Sequence, residues 1–440
     1  MNPERLAQSR HYAVLGVAGA ITVPGVVLSR LGHVDLPDVA LALLFGLAIV
    51  GAAFLLSWAA EVAQLDISAG LAIAVLAFIA VLPEYAVDLV FAIKGGEAYA
   101  VHGVACQSAA EALARNESPC ALALANMTGA NRLLIGLGWT LVVFVAWHRL
   151  RSRGERMEEV SLERSHSVEL AFLSLATLYS LTLPLKRSIT LVDAAILVSI
   201  FIAYMVRISR APAEEPHLVG PAATIGLLPT GARRAVTVAM FVVAALVILA
   251  CAEHFAESLV DTGRTLGVSE FFLVQWLAPL ASETPELLVA GLYAWRLNTN
   301  AGLGTLVSSK VNQWTLLVGT LPIAFAFASG TFDGLPIIAR QREEVLLTAA
   351  QSFFAVATLI SLSMSLREAG LLFGLFWAQF LTGALVPAHW HGVELVGFSA
   401  VYLALGLSAV LRSRRGQVGR LARDGFLASY ADLSKTPGSG

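Results

Sequence analysis

The sequence predicts an all-α polytopic membrane protein of about twelve transmembrane helices, built as an inverted repeat of two five-helix halves with helices broken at the midplane. Three observations lead there. The 440 residues are 57% hydrophobic and only 14% charged, with mean hydropathy +0.74, against about 25% charged in an average soluble domain. The apolar runs are long and continuous, without the alternation of strands, and lipid leaves the backbone only helices or closed barrels. A Pro-Glu motif followed by a small polar cluster occurs once in each half.

In chain order, spans fall near 12–31, 36–60, 66–94, 117–148, 168–185, 189–207, 233–260, 267–295, 299–329, 343–364, 366–388 and 392–411. The first has the length needed to cross about 30 Å of hydrocarbon, more than a signal peptide's apolar core, and reads as a retained helix. The organisation expected is 1–35 as tail and extra helix, 36–207 as the first half and 208–232 as a cytoplasmic linker carrying Pro212, Pro216, Pro221 and Pro229. The second half is 233–388, and 389–440 is an extra helix with a basic tail. Arginines crowd the loop after 148 (Arg149, Arg151, Arg153, Arg156), the linker flanks and the tail, which puts both termini in the cytoplasm by the positive-inside rule. Lys186 with Arg187 and Arg340 with Arg342 fit that orientation badly. The expected location is the cell (inner) membrane, with the lipid bilayer as surroundings.

Net charge −2 and scattered short basic clusters exclude nucleic acid as a partner. Cys251 lies in an apolar run and reads as a small hydrophobe. Cys106 and Cys120 bracket a loop and could pair if it faces an oxidising compartment.

An offset of 202 lays PEYAVDLVFAIK (Pro83 to Lys94) over PELLVAGLYAWR (Pro285 to Arg296), matching Glu84 with Glu286 and Lys94 with Arg296. An offset of 179 lays ALANMTGANR (Ala123 to Arg132) over GLGTLVSSKV (Gly302 to Val311), matching Asn126 with Thr305 and Asn131 with Lys310. Glu61 is loosely echoed by Glu253. An odd number of spans per half inverts one half against the other, the arrangement of many secondary transporters with a midplane site.

Glu84 and Glu286 therefore stand as acids at membrane depth, where a charge is costly and by default functional. Asp88 follows Glu84 by one turn and Glu283 precedes Glu286 by three residues, so each pair can share a helix face. Crowded buried carboxylates favour protonation, which makes a proton a candidate exchanged ion. Ser282, Asn126, Thr305 and carbonyls freed by the prolines add neutral oxygens, and calcium takes six to eight oxygen ligands. Lys310 would neutralise a carboxylate or compete with a divalent ion, Arg132 would snorkel or pair with Asp88, and Ser308 and Ser309 either contribute hydroxyls or allow close helix packing. Lys94 and Arg296 read as interfacial anchors; Glu61, Glu253, His254 and Asp193 read first as structural, with gating or proton relay as the alternative.

The two Pro-Glu motifs with their polar clusters resemble the alpha repeats of the cation/calcium antiporter superfamily, which includes sodium/calcium exchangers. The resemblance covers 36–388 in layout and is sharp in 79–94, 123–138, 278–296 and 302–319. It implies ten core helices with Glu84 and Glu286 binding the cation. Where that family has Gly-Thr-Ser, the first repeat has Ile79, Ala80 and Val81, and the second has Ala281, Ser282 and Glu283. Lys310 stands where the family has Asn.

The function expected is secondary antiport of a metal cation, Ca²⁺ or Na⁺, against Na⁺ or H⁺, with inorganic cations and protons as partners and no covalent cofactor. The alternatives are a membrane scaffold that kept the fold without transport and an intramembrane hydrolase using Ser282 or Ser308. The second needs a general base, and neither repeat motif contains His.

Overall fold

A computed structural model describes residues 3–31, 36–66, 82–103, 119–212, 218–414 and 416–434. Cys106, on which the Cys106–Cys120 pairing depends, and the Ile79 to Val81 departure lie outside those residues.

The long helices are α1 (Pro3–Leu31), α2 (Asp38–Ala63), α3 (Leu82–His102), α4 (Pro119–Leu133), α5 (Thr140–Arg151), α6 (Ser167–Ser180) and α7 (Leu191–Ile208). A short α8 (Pro221–Gly226) occupies the linker. The second half follows as α9 (Thr230–Leu266), α10 (Glu270–Trp295), α11 (Thr299–Asn312), α12 (Val318–Ser329), α13 (Ala339–Thr358) and α14 (Leu366–Leu385). Last come α15 (His391–Arg412) and the short α16 (Gln417–Phe426) and α17 (Tyr430–Leu433).

Ten helical stretches among the described residues are long and apolar enough to cross a membrane. Of the twelve expected spans, 66–94 includes residues 67–81, which lie outside the described residues, and 267–295 is not among the ten. The helix of the latter, α10, carries Glu283, Glu286 and two prolines, which lower its hydropathy.

The two halves repeat each other in detail. A π-helical turn at Leu134–Trp139 joins α4 to α5, and another at Gln313–Leu317 joins α11 to α12, starting 179 residues apart as the motif offset requires. Both Pro279 and Pro285 lie inside a continuous α10. The expected interruption of regular helix therefore comes at the π turns rather than at the prolines. Thr190 and Asp193 form a capping box at the start of α7, and Ser365 and Glu368 form one at the start of its counterpart α14.

Strands β1 (Glu159–Ser161) and β3 (Leu335–Pro336) precede α6 and α13, whereas β2 (Ser188–Ile189) and β4 (Ser363–Ser365) precede α7 and α14. β1 pairs antiparallel with β4 and β2 with β3. A two-fold that exchanges the halves exchanges these two ribbons, which pin one half to the other. The unplaced bases also find partners: Lys186 is paired with Asp193, and Arg340 lies 3.7 Å from Glu344.

Helix contacts rest on small residues, as expected where lipid supplies no hydrophobic drive between helices. Pro279 has no N–H for the Gln275 carbonyl, and Gly129 of α4 packs on that oxygen so closely that a Cβ would sit 1.7 Å from it. Cys251 is buried in the core, as expected of a small hydrophobe.

Candidate ion-binding site

Helices α3 and α10 bring their acids face to face. Glu84, Asp88 and Glu283 are buried, and Glu286 is half-buried. Glu84 faces Glu286, with Asp88 and Ser282 beside it, and Glu283 faces both glutamates. The Ser282 hydroxyl donates to the carbonyls of Ala278 (3.3 Å) and Pro279 (3.2 Å), which leaves its lone pairs for another ligand. Ser309 faces Glu286 from α11.

Each half adds an amide to its second acid. Asn126 Nδ2 donates to Asp88 Oδ1 at 2.9 Å, and Gln313 Nε2 donates to Glu283 Oε1 at 2.9 Å. With its N–H spent on the acid, each amide turns its own oxygen inward. Glu84 Oε2, Asp88 Oδ2, Asn126 Oδ1, Glu283 Oε2, Glu286 Oε2 and Gln313 Oε1 are all sealed from solvent and have no hydrogen-bond partner among the described residues. An unsatisfied buried polar atom costs about 1–3 kcal/mol, so a set of six is a standing demand for a cation or for protons. Among the described residues no three His, Cys, Asp or Glu side chains gather into a metal-ligating cluster. A cation held here would need the amide oxygens as well as the acids.

The two bases are fixed by the opposite half. Lys310 is fully buried; its Nζ donates to the Asn131 carbonyl (2.8 Å) and Oδ1 (2.6 Å) and lies 4.7 Å from the Trp314 ring, with Glu283 as its acidic neighbour. Asn131 and Lys310 are the positions equated by the second offset, and they touch. Arg132 does not pair with Asp88. Its Nη1 donates to Glu344 Oε2 at 2.7 Å, its guanidinium lies 4.8 Å from the Trp276 ring, and Gln275 Nε2 donates to that same Glu344 oxygen (3.0 Å) and to Thr128 (3.2 Å). A buried arginine is tolerated when it is paired and stacked in this way.

Of the expected residues, Glu84, Asp88, Asn126, Ser282, Glu283, Glu286 and Ser309 come together. Thr305 does not: it is exposed, and its hydroxyl donates to Ala301 of its own helix at 2.8 Å. Ser308 meets the Tyr204 hydroxyl. The sequence reading missed Gln313, Gln275 and Glu344. Gln313 was hidden because its counterpart under the offset is Leu134. Glu344 sits in the charged first turns of α13 and reads as a helix-end residue, although an unpaired Arg132 was itself a signal that a buried acid lay elsewhere.

The sodium/calcium exchanger protein family profile matches residues 38–209 and 236–386. A crystal structure of the H⁺/Ca²⁺ exchanger CAX is 40% identical, covers 96% of this chain and 98% of its own, and superposes with a TM-score of 0.83. Native YfkE, at 15% identity and a TM-score of 0.56, covers 87% of this chain and 99% of its own and shares the fold. No curated protein matches in sequence. The matched segments stop short of α1 and α15. This chain belongs to the sodium/calcium exchanger family of membrane cation antiporters.

Proposed function

We propose that the chain exchanges Ca²⁺ for H⁺ by alternating access, with Glu84 and Glu286 as the shared carboxylates for both ions. The observation that carries this reading is the set of six buried, unpartnered oxygens around two facing glutamates. Two carboxylates that share a dry site repel unless a counter-charge joins them. A divalent cation does so at one stroke, and protons do so one at a time, so the ions displace each other. Asp88, Glu283, Asn126, Gln313 and Ser282 complete the oxygen supply that calcium prefers. Lys310 and Arg132 act as fixed positive charges, held by Asn131 and Glu344, that balance the remaining acids. The 40% identity to an H⁺/Ca²⁺ exchanger favours protons over Na⁺ as the counter-ion, as does the dominance of carboxylates over hydroxyls. The basic loops favour cytoplasmic termini in a cell membrane.

The test is ⁴⁵Ca²⁺ uptake into proteoliposomes under separately imposed pH, Na⁺ and K⁺ gradients. Uptake should follow the pH gradient, and an acid interior should drive Ca²⁺ inward. Uptake that follows a Na⁺ gradient at fixed pH and ignores the pH gradient would overturn the counter-ion assignment, and no uptake under any gradient would overturn the transport reading.

A further inference from the structure

Lys94 and Arg296 hold the same place in the two repeats, each ten residues beyond its glutamate, Lys94 within α3 and Arg296 capping the end of α10, since the 202 offset equates Glu84 with Glu286 and Lys94 with Arg296. Their surroundings are also related. Lys94 Nζ lies 2.6 Å from Glu257 Oε1 and 3.6 Å from Glu253 Oε1, both on α9. Arg296 faces Glu61 on α2, the counterpart of α9, and Glu61 is the residue that Glu253 echoes. The two places lie at opposite ends of the α2–α9 pair. At one end Asp66 takes Arg233 and Arg234, each at 2.9 Å, and Glu61 is near it; at the other Asp38 accepts from Thr265 at 2.6 Å, and Glu253 and Glu257 are on that side.

The occupancy of the two places differs. The Lys94 pair is closed. The Arg296–Glu61 pair is open, and Glu61 Oε2 instead accepts the N–H of Val219 from the linker at 3.1 Å, while Val219 packs on Val289 and Tyr293 of α10. Glu61 Oε1 is buried and without a partner among the described residues.

We propose that Lys94 with Glu253 and Glu257, and Arg296 with Glu61, are two ion-pair gates that close alternately at the two ends of the site. The inference rests on the alternating-access reading above. In an inverted repeat the opposite-facing state is reached when each half takes up the other's arrangement, and this exchange opens Lys94 and moves Glu61 from Val219 to Arg296. Lys94, Glu253 and Glu257 are part-exposed, and ion pairs between exposed groups are individually weak. A contact that must break in every cycle has to be weak.

The test replaces the three native cysteines by alanine, introduces Lys94→Cys with Glu257→Cys and Glu61→Cys with Arg296→Cys, and links each pair with a short thiol-cleavable crosslinker. Either crosslink should cut the residual exchange of the four-cysteine chain at least tenfold until it is cleaved, and mass spectrometry of that chain should find the two crosslinks in different molecules, never in the same one. That second readout needs no transport, so it separates failure of the gates from failure of the proposed exchange. In the native-cysteine chain, Arg296→Gln should lower turnover at least tenfold with unchanged half-saturation for Ca²⁺, and Arg296→Lys should restore most of it. Both crosslinks in one molecule, or wild-type turnover in Arg296→Gln, would overturn the proposal.

Discussion

The first repeat places its second acid one turn after its glutamate, at Asp88, and the second places its own three residues before, at Glu283. The amides differ as well: Asn126 is inside α4, whereas Gln313 opens the π turn beyond α11. Yet each half ends with one acid–amide hydrogen bond of 2.9 Å and two inward oxygens. The comparison teaches that the two-fold conserves a chemical arrangement rather than a residue register. The bases make the same point. Arg132 and Lys310 are one position out of step under the 179 offset, and each reaches across into the other half, one to Glu344 and the other to Asn131.

The largest expected effect tests whether the repeats contribute equally. Glu84→Gln and Glu286→Gln should each reduce Ca²⁺ exchange more than 100-fold in proteoliposomes; loss in only one would mean that the site belongs to one half. Next is the cross-brace. Arg132→Leu removes the nearer of the two cations beside buried Glu344, leaving Arg340 at 3.7 Å, and should cost up to about 3–5 kcal/mol, read as a drop in melting temperature in detergent. Arg132→Leu with Glu344→Leu should recover most of it, because the stranded charge is gone.

Gly129 and its counterpart Ser308 sharpen the packing side of the comparison. Gly129→Ala drives a Cβ into the Gln275 carbonyl and should destabilise by about 1–3 kcal/mol or more. Ser308→Ala loses only a contact with Tyr204, about 1 kcal/mol. Equal melting temperatures for these two variants would contradict the close approach of α4 to α10.

The smallest effect concerns the helices that join the halves. Bonding to Arg233 holds the Asp66 carboxyl down at about 2, with Arg234 helping. A depressed folded value means that its stabilisation is complete above about 4, the ordinary carboxylate range, and is lost as pH falls from there toward 2. Wild type should therefore lose melting temperature over that interval by a few degrees more than Asp66→Asn, which has no such proton to take up.

Much of this was legible in the chain. Apolar runs of spanning length and an odd count per half are local and additive properties, so they gave the membrane class and the inversion. Pro83-Glu84 and Pro285-Glu286 pointed to the two acids that face each other, because a carboxylate inside an apolar helix is costly at membrane depth. Thr305 failed because an offset equates positions along the chain but does not fix which way a side chain turns; at this point of α11 the counterpart of a buried Asn126 faces outward. Gln313 and Glu344 were invisible for the complementary reason, that their partners, Glu283 and Arg132, are 30 and 212 residues away.

By itself, then, the sequence determined the helices, the duplication and the two glutamates whose charge is costly at membrane depth. Only the tertiary structure decided which polar atoms stand opposite them and which base answers which acid. It also showed that Asn131 and Lys310, matched by the repeat, meet in space. Helix formation and hydropathy are set by neighbours along the chain, whereas the pairing of buried charges is set by packing between helices, and in a dry interior an acid takes the partner that geometry brings to it.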